Sequence, residues 1–173
     1  MKLFAFFAVL ALSLPSTALH AEETRVDLLS SYASTEHAHQ AGLDQQLFHK
    51  FVHKAARSFD DICGDTYCEG EFANIIPFDF DCVVTVGTGR VDQCIWKFAA
   101  AANWVDERNN EVVRQDRIFR CAIPMNASVS QAADFFGLVA KADTTTYHAF
   151  FDLTIPGGNG ASLYKTLSAC FQQ

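Results

Sequence analysis

The sequence predicts an α+β fold in which an antiparallel meander of three to four strands packs against helices and is stapled by disulfides. Three observations support this class: segments with apolar residues at every second position, segments with apolar residues at helical spacing, and six cysteines in a chain of 173 residues. Half of the residues are hydrophobic and 19% are charged, which is typical of a globular chain and excludes an intrinsically disordered one. We expect a single α+β domain over residues 43–173, preceded by a flexible arm at 22–42.

The first residues have the pattern of a secretory leader. Lys2 is followed by an apolar run from Leu3 to Leu14, and the small residues Ala18 and Ala21 offer cleavage sites. The run is too short to span a bilayer, which needs about 20 apolar residues. We therefore expect a cleaved signal peptide at residues 1–21, a periplasmic or secreted mature chain, and no stable membrane anchor.

The domain begins with a predicted helix from Asp44 to Phe59. Its apolar residues recur at helical spacing and form one stripe. They are Leu47, Phe48, Phe51, Val52, Ala55 and Phe59.

The next segment carries the clearest hairpin pattern in the chain. Its first strand has apolar residues at every second position: Ile76, Phe78, Phe80, Cys82, Val84 and Val86. A three-residue loop follows, whose last residue, Gly89, can take the left-handed conformation. In the strand after this loop, Asp92, Cys94, Trp96 and Phe98 share one face. That register places Cys82 opposite Cys94 and Phe80 opposite Trp96.

A third strand is indicated by Val113, Phe119, Cys121 and Ile123 at odd positions, with Arg114, Asp116, Ile118 and Arg120 on the other face. The run from Phe98 to Trp104 is ambiguous, because its four alanines favour helix whereas its flanks favour strand.

The C-terminal third predicts two helices and one more strand. Ser128 is a candidate N-cap for a helix through Val139, and a last helix begins between Asn159 and Ser162 and runs through Cys170. Between them, alternating apolar residues from Tyr147 to Ile155 predict a fourth strand.

Export implies that the cysteines form disulfides, since the compartment is oxidising. The six are Cys63, Cys68, Cys82, Cys94, Cys121 and Cys170. Cys63 and Cys68 bracket a short turn-rich loop and are expected to pair with each other. Geometry leaves two arrangements for the other four: Cys82–Cys94 with Cys121–Cys170, or Cys82–Cys121 with Cys94–Cys170.

The candidate contact residues surround the predicted Cys63–Cys68 loop. Five carboxylates lie within twelve positions: Asp60, Asp61, Asp65, Glu69 and Glu71. Their spacing does not match an EF-hand, so calcium is not expected. They form a candidate surface for a basic partner, together with Tyr67 in the loop. Trp104 and Phe150 break the predicted burial pattern and are candidates for an exposed apolar patch.

No motif for catalysis or metal binding stands out. His49 and His53 lie one helical turn apart, but the glutamate of a His-Glu-x-x-His site is missing, and no Gly-x-Ser-x-Gly elbow occurs. His148 is expected on the polar face of the fourth strand. We therefore expect no catalytic residues, no metal and no cofactor.

The net charge of −7 disfavours a nucleic-acid partner. The sequence favours an exported binding protein, such as an inhibitor or immunity-type factor acting on a secreted or periplasmic protein. The alternative is a small secreted hydrolase or metal-dependent enzyme whose site forms only in three dimensions.

Overall fold

The computed structural model of the chain describes residues 25–27, 44–85, 88–141 and 147–172. Its helices and strands follow the order β1 (Arg25–Asp27), α1 (Gln45–Cys63), β2 (Asn74–Thr85), β3 (Arg90–Asp106), β4 (Glu111–Ser128), α2 (Val129–Lys141), α3 (Tyr147–Asp152) and α4 (Leu163–Phe171). This is the predicted α+β class. The predicted signal peptide at 1–21 lies outside the described residues.

The sheet is an antiparallel meander with the strand order β1-β2-β3-β4. The predicted register is confirmed, because Cys82 lies opposite Cys94 and Phe80 opposite Trp96. The short strand β1 pairs with the end of β2 and is the fourth strand of the sheet. It comes from the segment predicted as a flexible arm; the rest of that segment lies outside the described residues. Strand β4 has no neighbour on its far side among the described strands.

One face of the sheet carries the helices, and the core lies between these two layers. Phe51 of α1 is fully buried, and its ring centroid lies 5.1 Å from that of Phe80 on β2 and 4.5 Å from that of Phe136 on α2. At the other end of α1, the Phe59 centroid lies 4.8 Å from that of Phe98 on β3. Each buried aromatic ring contributes roughly 1.5–3 kcal/mol of transfer free energy.

Short polar side chains cap the N-termini of three helices, at the positions where the sequence predicts these helices to begin. Asp44 accepts hydrogen bonds from the amides of Gln46 and Leu47 at the start of α1. Ser128 and Gln131 form a reciprocal capping box before α2, with distances of 3.2 and 3.0 Å. Ser162 caps α4 in the same way as Asp44 caps α1. These side chains satisfy amides that have no partner inside the helix.

All six cysteines are paired, as Cys63–Cys68, Cys82–Cys94 and Cys121–Cys170. The structure therefore selects the first of the two predicted arrangements. The third bridge ties α4 to the centre of β4 across a Cα–Cα distance of 5.5 Å. Three disulfides are consistent with an oxidising compartment.

The strand predicted from Tyr147 to Ile155 is wrong. Residues 147–152 form helix α3, and only a single bridge between Thr154 and Ser162 follows. Phe150 and Phe151 are consecutive and both buried, which a strand with one covered face does not allow. His148 therefore lies on a helix.

The predicted alternation along β2 is wrong at its beginning. A bulge at Phe78 shifts the register between Pro77 and Asp79, so Ile76 and Phe78 are about half exposed and Ile75 is buried instead. An extra residue in one strand moves every preceding side chain to the opposite face. From Phe80 to Val84 the predicted inward face is correct.

Among the described residues, no helix is both long and apolar enough to cross a membrane.

Candidate contact surface

The clip loop, residues 63–71, continues from the end of α1 and is closed by the Cys63–Cys68 bridge. The Cys68 amide donates to the Cys63 carbonyl at 2.7 Å, and the Thr66 hydroxyl donates to the Ile62 carbonyl at 2.7 Å. The loop is thus wound back onto the helix end. Its conformation is held by one covalent bond and several hydrogen bonds, which limits the entropy lost on binding.

All five candidate carboxylates are exposed. Asp60 and Asp61 lie in the last turn of α1, and Asp65, Glu69 and Glu71 belong to the clip loop. Among the described residues, no ion pair involves any of the five. The last turn of α1 also contains no basic residue. Negative charge at the negative end of a helix dipole is unfavourable, so this cluster does not stabilise the fold.

Tyr67 anchors the clip loop to the core. Its ring is stacked on Phe59 with centroids 5.5 Å apart and also contacts Phe171 and Tyr164. Its hydroxyl donates to the Tyr164 carbonyl at 3.2 Å. Burial raises the pKa of the Tyr67 phenol to about 12. Tyr67 therefore attaches the clip loop to the core, while the carboxylates of the loop are exposed to solvent.

Trp104 lies on a part of the sheet that extends beyond β2. The last pair between β2 and β3 is Asn74 with Ala101, whereas β3 and β4 continue together to Asp106 and Glu111. We call residues 102–115 the hairpin arm. The ambiguous run before Trp104 is therefore strand, because β4 supplies a continuous ladder of partners.

Apolar side chains lie on both faces of the arm. Trp104 is 44% exposed and lies opposite Val113, while Val105 and Val112 form the next pair and are more exposed still. Phe150, predicted to be exposed as well, is instead buried under the helices. The apolar patch predicted for Trp104 and Phe150 thus contains Trp104 without Phe150.

The tip of the arm is a closed turn. The Asp106 carboxylate accepts hydrogen bonds from the Arg108 amide at 3.0 Å and from its guanidinium at 2.9 and 2.7 Å. The hydrogen bond from the Arg108 side chain holds the pKa of the Asp106 carboxyl below its usual range. Asn110 takes the left-handed conformation, with φ 56°. The turn fixes the register of the two strands at their free end.

The clip loop and the arm lie at the same end of the sheet. Glu71 and Arg117 line a cleft of about 190 Å³, and the Arg117 guanidinium carbon lies 4.5 Å from the centroid of the Phe119 ring. Arg117 is opposite Ala100 of β3. Trp104 lies four residues further along β3, so the Cα atoms of Ala100 and Trp104 are about 14 Å apart. Glu71 of the clip loop and Trp104 are therefore close enough for one partner to contact both.

Two further groups were not predicted from the sequence. A groove of about 400 Å³ between α1 and β2 is lined by His49, His53 and Phe78, among others. The strand bulge is what exposes Phe78. No group of three or more metal-binding side chains occurs among the described residues, and the two histidines have no third ligand there.

The second group is an ion cluster on the face of the sheet away from the helices. The Lys97 amine lies 2.5 Å from a carboxylate oxygen of Asp79 and 2.6 Å from one of Asp81. Burial raises the pKa of the Asp81 carboxyl, and hydrogen bonds to Asp79 and Asp81 raise the pKa of the Lys97 amine. The predicted register of β2 and β3 would have located this cluster, since Asp79 and Lys97 are opposite each other.

In comparisons with known proteins, no protein-family model, no curated protein and no solved structure matches this chain.

Proposed function

We propose that the protein is a small exported binding protein that acts by surface complementarity, in the manner of an inhibitor or immunity-type factor. Its partner is another exported protein, which contacts the clip loop and the helix-side face of the hairpin arm. The observation that carries the proposal is the exposure of Trp104 on a two-stranded arm that ends in a hydrogen-bonded turn. Tryptophan is among the side chains that contribute most to protein–protein interfaces.

The charge of the clip loop supports the proposal and defines the partner. Carboxylates at the wrong end of a helix dipole reduce stability, and no cation among the described residues neutralises them by an ion pair. A basic surface on the partner would do so. The partner is therefore expected to present lysines or arginines around an apolar pocket that accepts Trp104.

The test uses the disulfide-bonded mature chain as bait in the exported fraction of the source organism. Affinity for the captured protein is then measured for the wild type and two variants. Trp104→Ala should weaken binding about 30-fold or more, as for a central interface residue. The triple variant Asp65→Asn/Glu69→Gln/Glu71→Gln should weaken binding strongly at low salt and less at high salt, because screening already weakens these contacts.

Leu138→Ala is the matched control, because Leu138 is also an exposed apolar side chain but lies on α2, away from the arm and the loop. It should leave the affinity unchanged. The proposal is wrong if Trp104→Ala binds as tightly as the wild type. It is also wrong if the purified chain captures nothing and cleaves a generic ester, peptide or glycan, which would favour the secreted hydrolase.

A further inference from the structure

The face of the sheet opposite the helices, which we call the open face, is uncovered in the described part of the chain. Helices α1, α2 and α4 all pack on the other side, against Phe80, Phe98 and Phe119. On β4, every outward side chain from Val112 to Pro124 is exposed. A sheet with one uncovered face normally shows polar residues there.

The open face is apolar at its centre instead. Ile76, Ala99 and Ile118 lie side by side on three neighbouring strands and form one row. Ile76 is 55% and Ile118 56% exposed. Val105 and Val112 add a second exposed apolar pair towards the tip of the arm. A contiguous exposed apolar patch indicates a contact surface.

The charges on the open face balance, in contrast to those of the whole chain. Around its centre the face carries Lys97, Arg114 and Arg120 against Asp79, Asp81 and Asp116. The chain has a net charge of −7, so its excess of negative charge lies elsewhere. Two copies can therefore approach through this face without net repulsion between the two surfaces, whereas a strongly charged partner finds no complement there.

We infer that the open face binds a second copy of this chain in a symmetric dimer. The two-fold axis runs across the strands along the row of Ile76, Ala99 and Ile118. Each strand then lies over its own counterpart in the reverse direction, and Ile118 meets Ile118 of the second copy. A two-fold contact of this kind must be self-complementary.

The charges beside the central row fulfil that requirement. Asp116 precedes Ile118 by two residues, and Arg120 follows it by two. The rotation therefore places Asp116 opposite Arg120 of the second copy, and Arg120 opposite Asp116. Arg120 makes no ion pair among the described residues, and the exposed pair between Arg114 and Asp116 is weak enough to rearrange.

The size of the face is suitable for a dimer. Strands about 4.8 Å apart, with outward side chains about 6.8 Å apart along each strand, give a flat footprint of roughly 600 Å² over the three long strands. Protruding side chains make the accessible area larger than this footprint. The face can therefore supply the area of about 800 Å² that a stable interface needs from each partner.

The experiment is sedimentation velocity of the purified mature chain, up to about 100 µM, a range that detects micromolar dissociation constants. The wild type should form dimers. Ile118→Glu should be monomeric at every concentration, with an unchanged circular dichroism spectrum. Leu138→Glu, the control on the helix side, should dimerise like the wild type.

A charge exchange tests the proposed geometry. Asp116→Arg and Arg120→Asp should each weaken dimerisation about tenfold or more, because each places like charges opposite one another. The double variant restores opposite charges across the axis and should recover most of the wild-type affinity. A double variant as weak as the single ones overturns the inference. So does a wild type that stays monomeric, whether another segment of the chain or a different protein covers the face.

Discussion

The two ends of the β3–β4 ribbon have the same strand pairing but opposite environments. From Cys94 to Ala102 the helix-side side chains are buried, whereas Trp104, next on the same face, is 44% exposed. The difference lies in what covers this face, because the helix-side side chains are covered only as far as Ala102 and β2 pairs with β3 only as far as Ala101. Alternation along a strand therefore specifies which side chains share a face, but burial depends on what covers that face.

The largest expected effect is a loss of stability when an aromatic side chain is removed at the covered end, compared with a small loss at the free end. Phe51→Ala should lower the free energy of unfolding by about 3–5 kcal/mol, because it leaves a cavity among Phe80, Phe136 and Phe150. Trp104→Ala, on the free arm, should change it by less than about 1 kcal/mol. Urea unfolding with intact disulfides measures both. Equal losses would show that the arm is part of the core.

The Cys121–Cys170 and Cys63–Cys68 disulfides should also differ in how much each stabilises the fold. Replacing Cys121 and Cys170 together by alanine should lower the free energy of unfolding by about 3–4 kcal/mol, because the bridge closes a long loop and holds α4 on the sheet. The same double replacement at Cys63 and Cys68 should cost only about 2 kcal/mol, since that loop is short. A clip bridge that proves the more important of the two would contradict this ranking.

A pair of glycines tests how closely the connection before α4 packs on the covered end. Gly157 has φ 70°, and a β carbon there would overlap the backbone carbonyls of Met125 and Asn126. Gly157→Ala should therefore destabilise the protein by about 1–3 kcal/mol. Gly64→Ala is the control, because nothing lies within 4 Å of its added carbon and its φ is −59°. It should change stability by less than about 1 kcal/mol in either direction.

Tyr67 lies at the border between the two regions, and its titration reports how firmly the clip loop is attached. Its pKa is raised to about 12 from 10.0, so the stability that it contributes is complete below pH 10 and is lost as the pH rises towards 12. Ultraviolet titration of tyrosinate should show one late step, which Tyr67→Phe removes. A late step that persists in Tyr67→Phe would mean that another tyrosine is the protected one.

The smallest expected effect is that of calcium on the clip loop. The five carboxylates are exposed and do not have the spacing of a known calcium loop, so calcium should leave the melting temperature unchanged. A rise of several degrees that a chelator reverses would assign the cluster to metal binding. The same measurement on Asp65→Asn/Glu69→Gln/Glu71→Gln would locate the bound ion.

Local patterns predicted much of the fold correctly. The alternation from Phe80 onwards placed Cys82 opposite Cys94, and the polar residues Asp44, Ser128 and Ser162 marked the starts of three helices. These features depend on neighbours within a few residues or on one hairpin. The sequence therefore contained the register and the caps, whereas it left two arrangements open for Cys82, Cys94, Cys121 and Cys170.

The errors arose where tertiary contacts outweigh a local pattern. The segment with Phe150 and Phe151 alternates like a strand, yet it packs against helices α1 and α4 and both rings are buried. The bulge at Phe78 has no signal other than the preceding Pro77. The arm was missed as a separate feature because strand periodicity does not show where a neighbouring strand ends.

The edge formed by β4 has a consequence for solubility. Among the described strands none lies beside β4 on its far side, and an edge strand of 18 residues is a template for aggregation between sheets. Arg114, Arg117 and Arg120 place charge along it, and Pro124 removes one backbone donor. Replacing these residues by threonine or valine would create a continuous β-rich segment of the kind that forms fibrils.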